Sequence, residues 1–168
     1  MDFTFTPDET PTGPVIPFYE DARANLAPYY ASNKSMPVAM SEVMQEFTKL
    51  DAGGVAFKRG YYTVGGQKRY GFVITFTMHD KDGLIRVAGL PIRRENPQKI
   101  EAVRLQALLN VRDWLKALVT QQTFTAGGAP LLPYLLVAPG QTVEDYILST
   151  GKLLPAGAVY EAEYSLTK

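Results

Sequence analysis

The chain has 168 residues, 46% of them hydrophobic, no cysteine, and 17 Lys/Arg balanced by 17 Asp/Glu. That length suits one domain with a substantial core. The lack of cysteine excludes disulfides and thiolate chemistry and suits a reducing compartment. No run is long enough to span a membrane, and Met1-Asp2-Phe3-Thr4 lacks the basic and apolar regions of a secretory signal. A cytoplasmic location is the expectation, in the host cytoplasm if the protein is viral.

Residues 1–35 read as an acidic arm. Pro7, Pro11, Pro14 and Pro17 punctuate it, while Phe3, Phe5, Phe18, Tyr19, Tyr29 and Tyr30 are too many aromatics for a plain disordered tail. An extended segment docked on this domain or on a neighbouring subunit is expected. Residues 36–150 then form a single α+β domain. Its first helix, Val38 to Leu50, carries the apolar set Val38, Met40, Val43, Met44, Phe47 and Leu50, and Asp51-Ala52-Gly53-Gly54 ends it.

The strongest turn signal follows. Gly65-Gly66 lies between runs of aromatic and β-branched residues, the mark of a two-residue hairpin in which both central residues need positive φ. Pairing Val64 with Gln67 fixes the register. Tyr61, Arg59, Phe57 and Val55 then face Tyr70, Phe72, Ile74 and Phe76 on the core side. Tyr62, Gly60, Lys58 and Ala56 face Arg69, Gly71, Val73 and Thr75 on a wet face, the usual arrangement for an antiparallel sheet. A loop over Asp80-Lys81-Asp82-Gly83 pairs Thr77 with Arg86, places Ile85 and Val87 in the core and adds Arg86 to the wet face. Pro91 limits this third strand or places it at an edge.

Asn96 and Pro97 are suited to the N-cap and first position of a long helix. Its stripe is Ile100, Val103, Ala107, Val111, Trp114 and Leu118, widened by Leu108 and Leu115. Lys99, Arg104, Gln106, Asn110, Asp113 and Lys116 fall on or near its polar edge. One helix of this length suffices to cover three strands. Beyond a Gly/Pro loop, Leu131–Val137 is a short apolar segment, and Thr142 with Asp145 marks the start of a short helix that stops near Gly151. Residues 151–168 form a C-terminal arm or an added strand, because Val159 to Leu166 alternate in polarity. The expected fold class is therefore α+β, an α-β-β-β-α core in which a three-stranded antiparallel sheet packs on a long helix. A short C-terminal helix and two extended arms complete it.

The segments Arg112-Asp113-Trp114-Leu115-Lys116-Ala117-Leu118 and Pro130-Leu131-Leu132-Pro133-Tyr134-Leu135-Leu136-Val137-Ala138-Pro139-Gly140-Gln141-Thr142-Val143-Glu144-Asp145-Tyr146-Ile147 resemble the C-terminal half of uncharacterised small proteins of bacterial phages and mobile elements. The likeness spans roughly Met36 to Leu148. It implies a viral or mobile-element origin, and it carries over no activity and no functional residue. The element order also resembles double-stranded RNA-binding domains, although only Lys99 follows Arg93-Arg94 where that family has a basic cluster. The β-β-β-α portion resembles strand-annealing recombination proteins, without a diagnostic motif. Fold alone does not fix function.

Catalytic signals are weak. His79 is the only histidine, so no His/Cys metal set exists. Asp80 and Asp82 read as a turn. Gly53-Gly54 before Lys58-Arg59 lacks the phosphate-loop spacing, and Glu144/Asp145 and Glu161/Glu163 have no evident partners for acid–base work. The expectation is a protein without catalysis and without a cofactor.

Charge distribution gives the leading functional reading. Lys58 to Lys116 holds twelve Lys/Arg against five Asp/Glu, so this span carries +7 and the remainder −7. Such a middle suits an anionic partner or is neutralised by its own ends. Single-stranded DNA or RNA needs cations for phosphates and rings for bases. Lys58, Arg69, Arg86 and Tyr62 supply these on the wet face, with the Gly60/Gly71 pair leaving a shallow site between them. Arg59 and Lys68 reach round from the edge, and Arg93 and Arg94 follow the third strand. The alternative is a structural or assembly protein, such as a virion component, that forms homo-oligomers through its arms. A regulator acting on a host factor through its acidic ends is a third reading.

Overall fold

The computed structural model describes residues 16–22, 28–30, 32–125 and 129–151. Helix α1 (Met36–Lys49) leads into strands β1 (Gly53–Val64), β2 (Gln67–Met78) and β3 (Lys81–Ala88), which form one antiparallel sheet in the order β1-β2-β3. The long helix α2 (Pro97–Phe124), a 3-10 turn (Leu132–Tyr134), a small ribbon of β4 (Leu136–Ala138) and β5 (Gln141–Thr142), and helix α3 (Val143–Thr150) follow. The fold is α+β. The expected strand over residues 159–166 lies outside the described residues.

Local chemistry accounts for the boundaries. Asn96 accepts the backbone N–H of Lys99 and Pro97 stands at the first turn of α2. Thr142 and Asp145 complete a reciprocal capping box at α3, and Gly151 closes that helix with a φ of 63°. In the first hairpin Gly65 and Gly66 both have positive φ, and the pairing runs as the alternation predicts from Val64↔Gln67 to Ala56↔Thr75. Beyond Ala56 a one-residue irregularity pairs Gly53 with Thr77. The extra residue on β1 breaks the register that would have set Val55 against Phe76.

The second hairpin departs from expectation. Its loop is the two residues His79 and Asp80, both at positive φ, so Thr77 pairs with Asp82 and Arg86 with Val73. Lys81 to Gly83, expected in the loop, belong to the strand. The shift is an even number of residues, so the faces are unchanged. Ile85 and Val87 are buried and Arg86 is exposed on the other side.

Two helices close the core. Val43 and Phe47 of α1, Phe72, Ile74 and Phe76 of β2, and Leu108, Leu109 and Leu115 of α2 share one cluster, with the Phe47 and Phe76 rings 5.1 Å apart. Because α2 is flanked by α1 as well as by the sheet, Leu105, Gln106, Leu109 and Arg112 are buried too. Gln106, expected at the polar edge, is only 3% exposed. Val111, Trp114 and Leu118 of the expected stripe are only partly buried. A second small cluster of Tyr70, Ile92 and Val103 receives Tyr19 of the arm, whose N–H donates to the Pro91 carbonyl.

Candidate functional site

The eight residues chosen for nucleic-acid contact do not form one open surface. On the wet face Tyr62 is half-buried and its hydroxyl donates to the Phe72 carbonyl at 2.7 Å; burial raises its pKa. The Arg69 guanidinium donates to the Gly89 carbonyl at 2.8 Å and the Ala88 carbonyl at 3.4 Å, and burial pushes its pKa down. Arg86 donates to the Gly140 carbonyl at 2.8 Å and pairs with Asp145 at 3.1 Å. It therefore straps β3 to the β4–β5 turn and the start of α3. The shallow site expected at Gly60/Gly71 is closed at Gly71, which is buried and where a Cβ would fall 1.8 Å from the Val87 carbonyl oxygen, whereas Gly60 has open space beside it. Lys58 is exposed and makes no hydrogen bond or ion pair among the described residues.

After the third strand, the acidic arm meets the basic residues. The Arg93 guanidinium pairs with Asp21 and lies 4.7 Å from the Phe18 ring centroid. The Glu20 carboxylate accepts the backbone N–H groups of Arg93 and Arg94 and pairs with Lys99 at 3.0 Å. Burial opposes the Glu20 charge, but those bonds outweigh it and lower its pKa to about 2. The Arg94 side chain is exposed.

The remaining two chosen residues, Arg59 and Lys68, sit at the rim of the first hairpin, on the helix side of the sheet. Here the sequence reading missed the better ring. Tyr61 is 60% exposed, and its ring meets Tyr70 edge-on at 6.1 Å. The Lys68 ammonium stands 4.4 Å from the Tyr61 centroid and 4.9 Å from that of Tyr70. Its contact with Tyr70, whose hydroxyl donates to Glu95, raises the Lys68 pKa. Arg104 stacks on Tyr70 at 5.3 Å and donates to the Gly60 carbonyl at 3.2 Å. Its Nε is buried without a partner among the described residues. Arg59 pairs with Glu101 at 3.0 Å, half-exposed on both sides, a contact worth about 0–1 kcal/mol.

Alternation with Phe57 predicts Tyr61 in the core. The side of the strand is as predicted, but α2 reaches this stretch through Arg104, which bonds the Gly60 carbonyl and stacks on Tyr70, and leaves the Tyr61 ring exposed. The signal was present in the sequence as Tyr61 opposite Tyr70 with Lys68 two residues away.

No family model, curated protein or solved structure matches this chain. Its function rests on its own geometry. Among the described residues no group of three or more His, Cys, Asp or Glu side chains is placed to hold a metal ion, and no helix is long and apolar enough to cross a membrane.

Proposed function

We propose that the protein is a non-catalytic single-stranded nucleic-acid-binding module whose contact surface is the rim of the first hairpin. The observation that carries this reading is the exposed Tyr61 ring with the Lys68 ammonium against it. A base stacks on a flat exposed ring irrespective of sequence, and an adjacent cation meets the phosphate that follows. Arg104 stiffens the platform from the helix side and Arg59 extends its charge. Lys58 adds a cation on the opposite face of the same strand. The wet face contributes less, because Tyr62, Arg69 and Arg86 are engaged within the fold. An assembly role through the arms has less support, since residues 16–22 and 28–30 are held by this chain's own Pro91, Arg93, Lys99 and Gln106.

The test is fluorescence anisotropy of labelled oligo-dT and of a matched duplex across a salt series. Micromolar single-strand binding that weakens steeply with salt, and weaker duplex binding, is the expected outcome. Absence of binding even at low salt would sink the reading.

A further inference from the structure

Strand β1 is one edge of the sheet, and although it runs for 12 residues none of them is buried. The direction of its outer backbone groups follows from its neighbour. Tyr70, opposite Tyr61, gives its carbonyl to the Gly89 N–H on the far side of β2. Tyr61 therefore turns its own N–H and C=O outward, and by alternation so do Phe57, Arg59 and Thr63. Among the described residues no other backbone group bonds them. Such an edge is a template for an added strand.

The residues along the edge select the strand that fits. The regular part of β1 runs from Ala56, where the irregularity ends, to Val64, where the turn begins. Its midpoint is Gly60. The cations Lys58 and Arg59 precede that midpoint, and the rings of Tyr61 and Tyr62 follow it. A second copy laid antiparallel about a two-fold axis at Gly60 therefore sets Arg59 opposite Tyr61 of that copy and Lys58 opposite its Tyr62. Cations beside aromatic rings attract, whereas like charges directly opposite repel. The same register joins the outward residues, Phe57 with Thr63 and Arg59 with Tyr61, each twice, for roughly eight backbone bonds. A slip of about two residues one way faces Arg59 with its own copy. The opposite slip removes both cation–ring pairs and shortens the ladder. Lys and Arg ordinarily deter pairing at an edge; here one register turns them into contacts.

We infer that β1 pairs with β1 of a second copy in this register, joining two three-stranded sheets into one continuous sheet. The contact is isologous and closes on itself, which limits the assembly to a dimer. Two observations suit it. A Cβ added at Gly60 would meet nothing within 4 Å, so packing inside the chain does not demand a glycine there. On the axis, the missing side chain leaves room for the Lys58–Tyr62 pairs that share its face. In addition, Arg59 arrives paired with Glu101 at 3.0 Å. It therefore brings no uncompensated charge beside the Lys68 ammonium, which already stands against the Tyr61 ring.

The chain has no cysteine, so a single introduced one can report the register. Directly opposite residues in a non-hydrogen-bonded pair lie about 4.5 Å apart at Cα, within disulfide range. The two copies of Lys58 would be offset by about four residues, roughly 13 Å. Gly60→Cys should therefore cross-link to its copy on mild oxidation, and Lys58→Cys should not. The full chain, without nucleic acid, is expected to scatter light as a dimer at micromolar concentration. Its Phe57, Arg59, Tyr61 and Thr63 amides should exchange at least about tenfold more slowly than in Gly60→Lys, where two like charges meet on the axis. The inner amides of Lys58 and Tyr62 check that each variant is folded. Thr63→Pro removes an outer donor while leaving the β1–β2 bonds in place, and it should also yield a monomer. A wild-type monomer would overturn the inference, as would a dimer whose outer β1 amides exchange as fast as in the variants. Equal cross-linking by Gly60→Cys and Lys58→Cys would overturn it too.

Discussion

The Glu20 carboxylate accepts the backbone N–H of Arg93 at 3.0 Å, and with its other oxygen that of Arg94 at the same distance. A side chain of the arm thereby satisfies two backbone donors of the segment between β3 and α2. The bonds are stronger to the ionised carboxylate than to the protonated acid, so its folded pKa, about 2, lies below the ordinary value of 4.5. The stabilisation is complete above pH ~4.5 and is lost as pH falls through about 2. Amide exchange at Arg93 and Arg94 should therefore stay slow down to pH 3 and accelerate beyond the intrinsic trend near pH 2. Glu20→Gln should remove that step and loosen the arm at neutral pH. A pH-independent protection factor at both amides would contradict the assignment.

A second junction lies deeper. Arg112, 8% exposed, donates to Glu42 of α1 at 2.7 Å, to Asp113 at 2.9 Å and to the Tyr29 hydroxyl at 2.7 Å. The Tyr29 hydroxyl in turn donates to Asp113. Burial opposes the charge on Arg112, but the carboxylates of Glu42 and Asp113 outweigh it and raise its pKa. Removing the cation leaves Glu42 with Lys34 and Asp113 with the Tyr29 hydroxyl, so Arg112→Met should cost about 1–3 kcal/mol in urea unfolding. The double replacement Arg112→Met with Glu42→Leu should recover part of that loss. Additive losses would show that the pair is not coupled.

Arg112 also shows where sequence reading stops. The helical stripe from Val103 to Leu115 is legible because α2 packs one apolar face on the sheet. It does not reveal that α1 lies along a second flank, and that second contact is what buries Arg112 and Gln106. The first hairpin is legible from Val64↔Gln67 to Ala56↔Thr75 because Gly65-Gly66 forces its turn and register, whereas the irregularity that unpairs Val55 from Phe76 has no such signal. The rim site was misread for a related reason. Alternation tells which side of a strand Tyr61 occupies but not whether the helix covers its ring.

The second hairpin turned on a residue preference. Asp80 to Gly83 has the composition of a loop, yet the turn is His79-Asp80, with φ of 50° and 59°. Left-handed backbone is unfavourable for His and tolerable for Asp, and Asn-Gly is the pair that suits it. His79→Asn combined with Asp80→Gly should therefore stabilise the protein by about 1 kcal/mol. The check is an increased urea midpoint with an unchanged slope. A decrease would mean that the His79 or Asp80 side chain holds the turn by some contact of its own.

Tyr61 and Tyr62 are neighbours on opposite faces of β1, which makes them a matched pair for locating the ligand. The Tyr61 ring is exposed beside Lys68, whereas the Tyr62 hydroxyl is tied to the Phe72 carbonyl. Tyr61→Ala should lower oligo-dT affinity by about 1–3 kcal/mol, roughly 5- to 150-fold, with little change in stability because the ring is mostly in solvent. Lys68→Ala should weaken binding more modestly and reduce the salt slope by about one counterion. Tyr62→Phe keeps the ring and loses only the internal hydrogen bond, so it should lower stability slightly and leave affinity unchanged. If instead Tyr62→Phe impairs binding and Tyr61→Ala does not, the ligand lies on the wet face of the sheet. The strands would be the same, but the nucleic acid would cross the row of Lys58 and Arg86 rather than the hairpin rim.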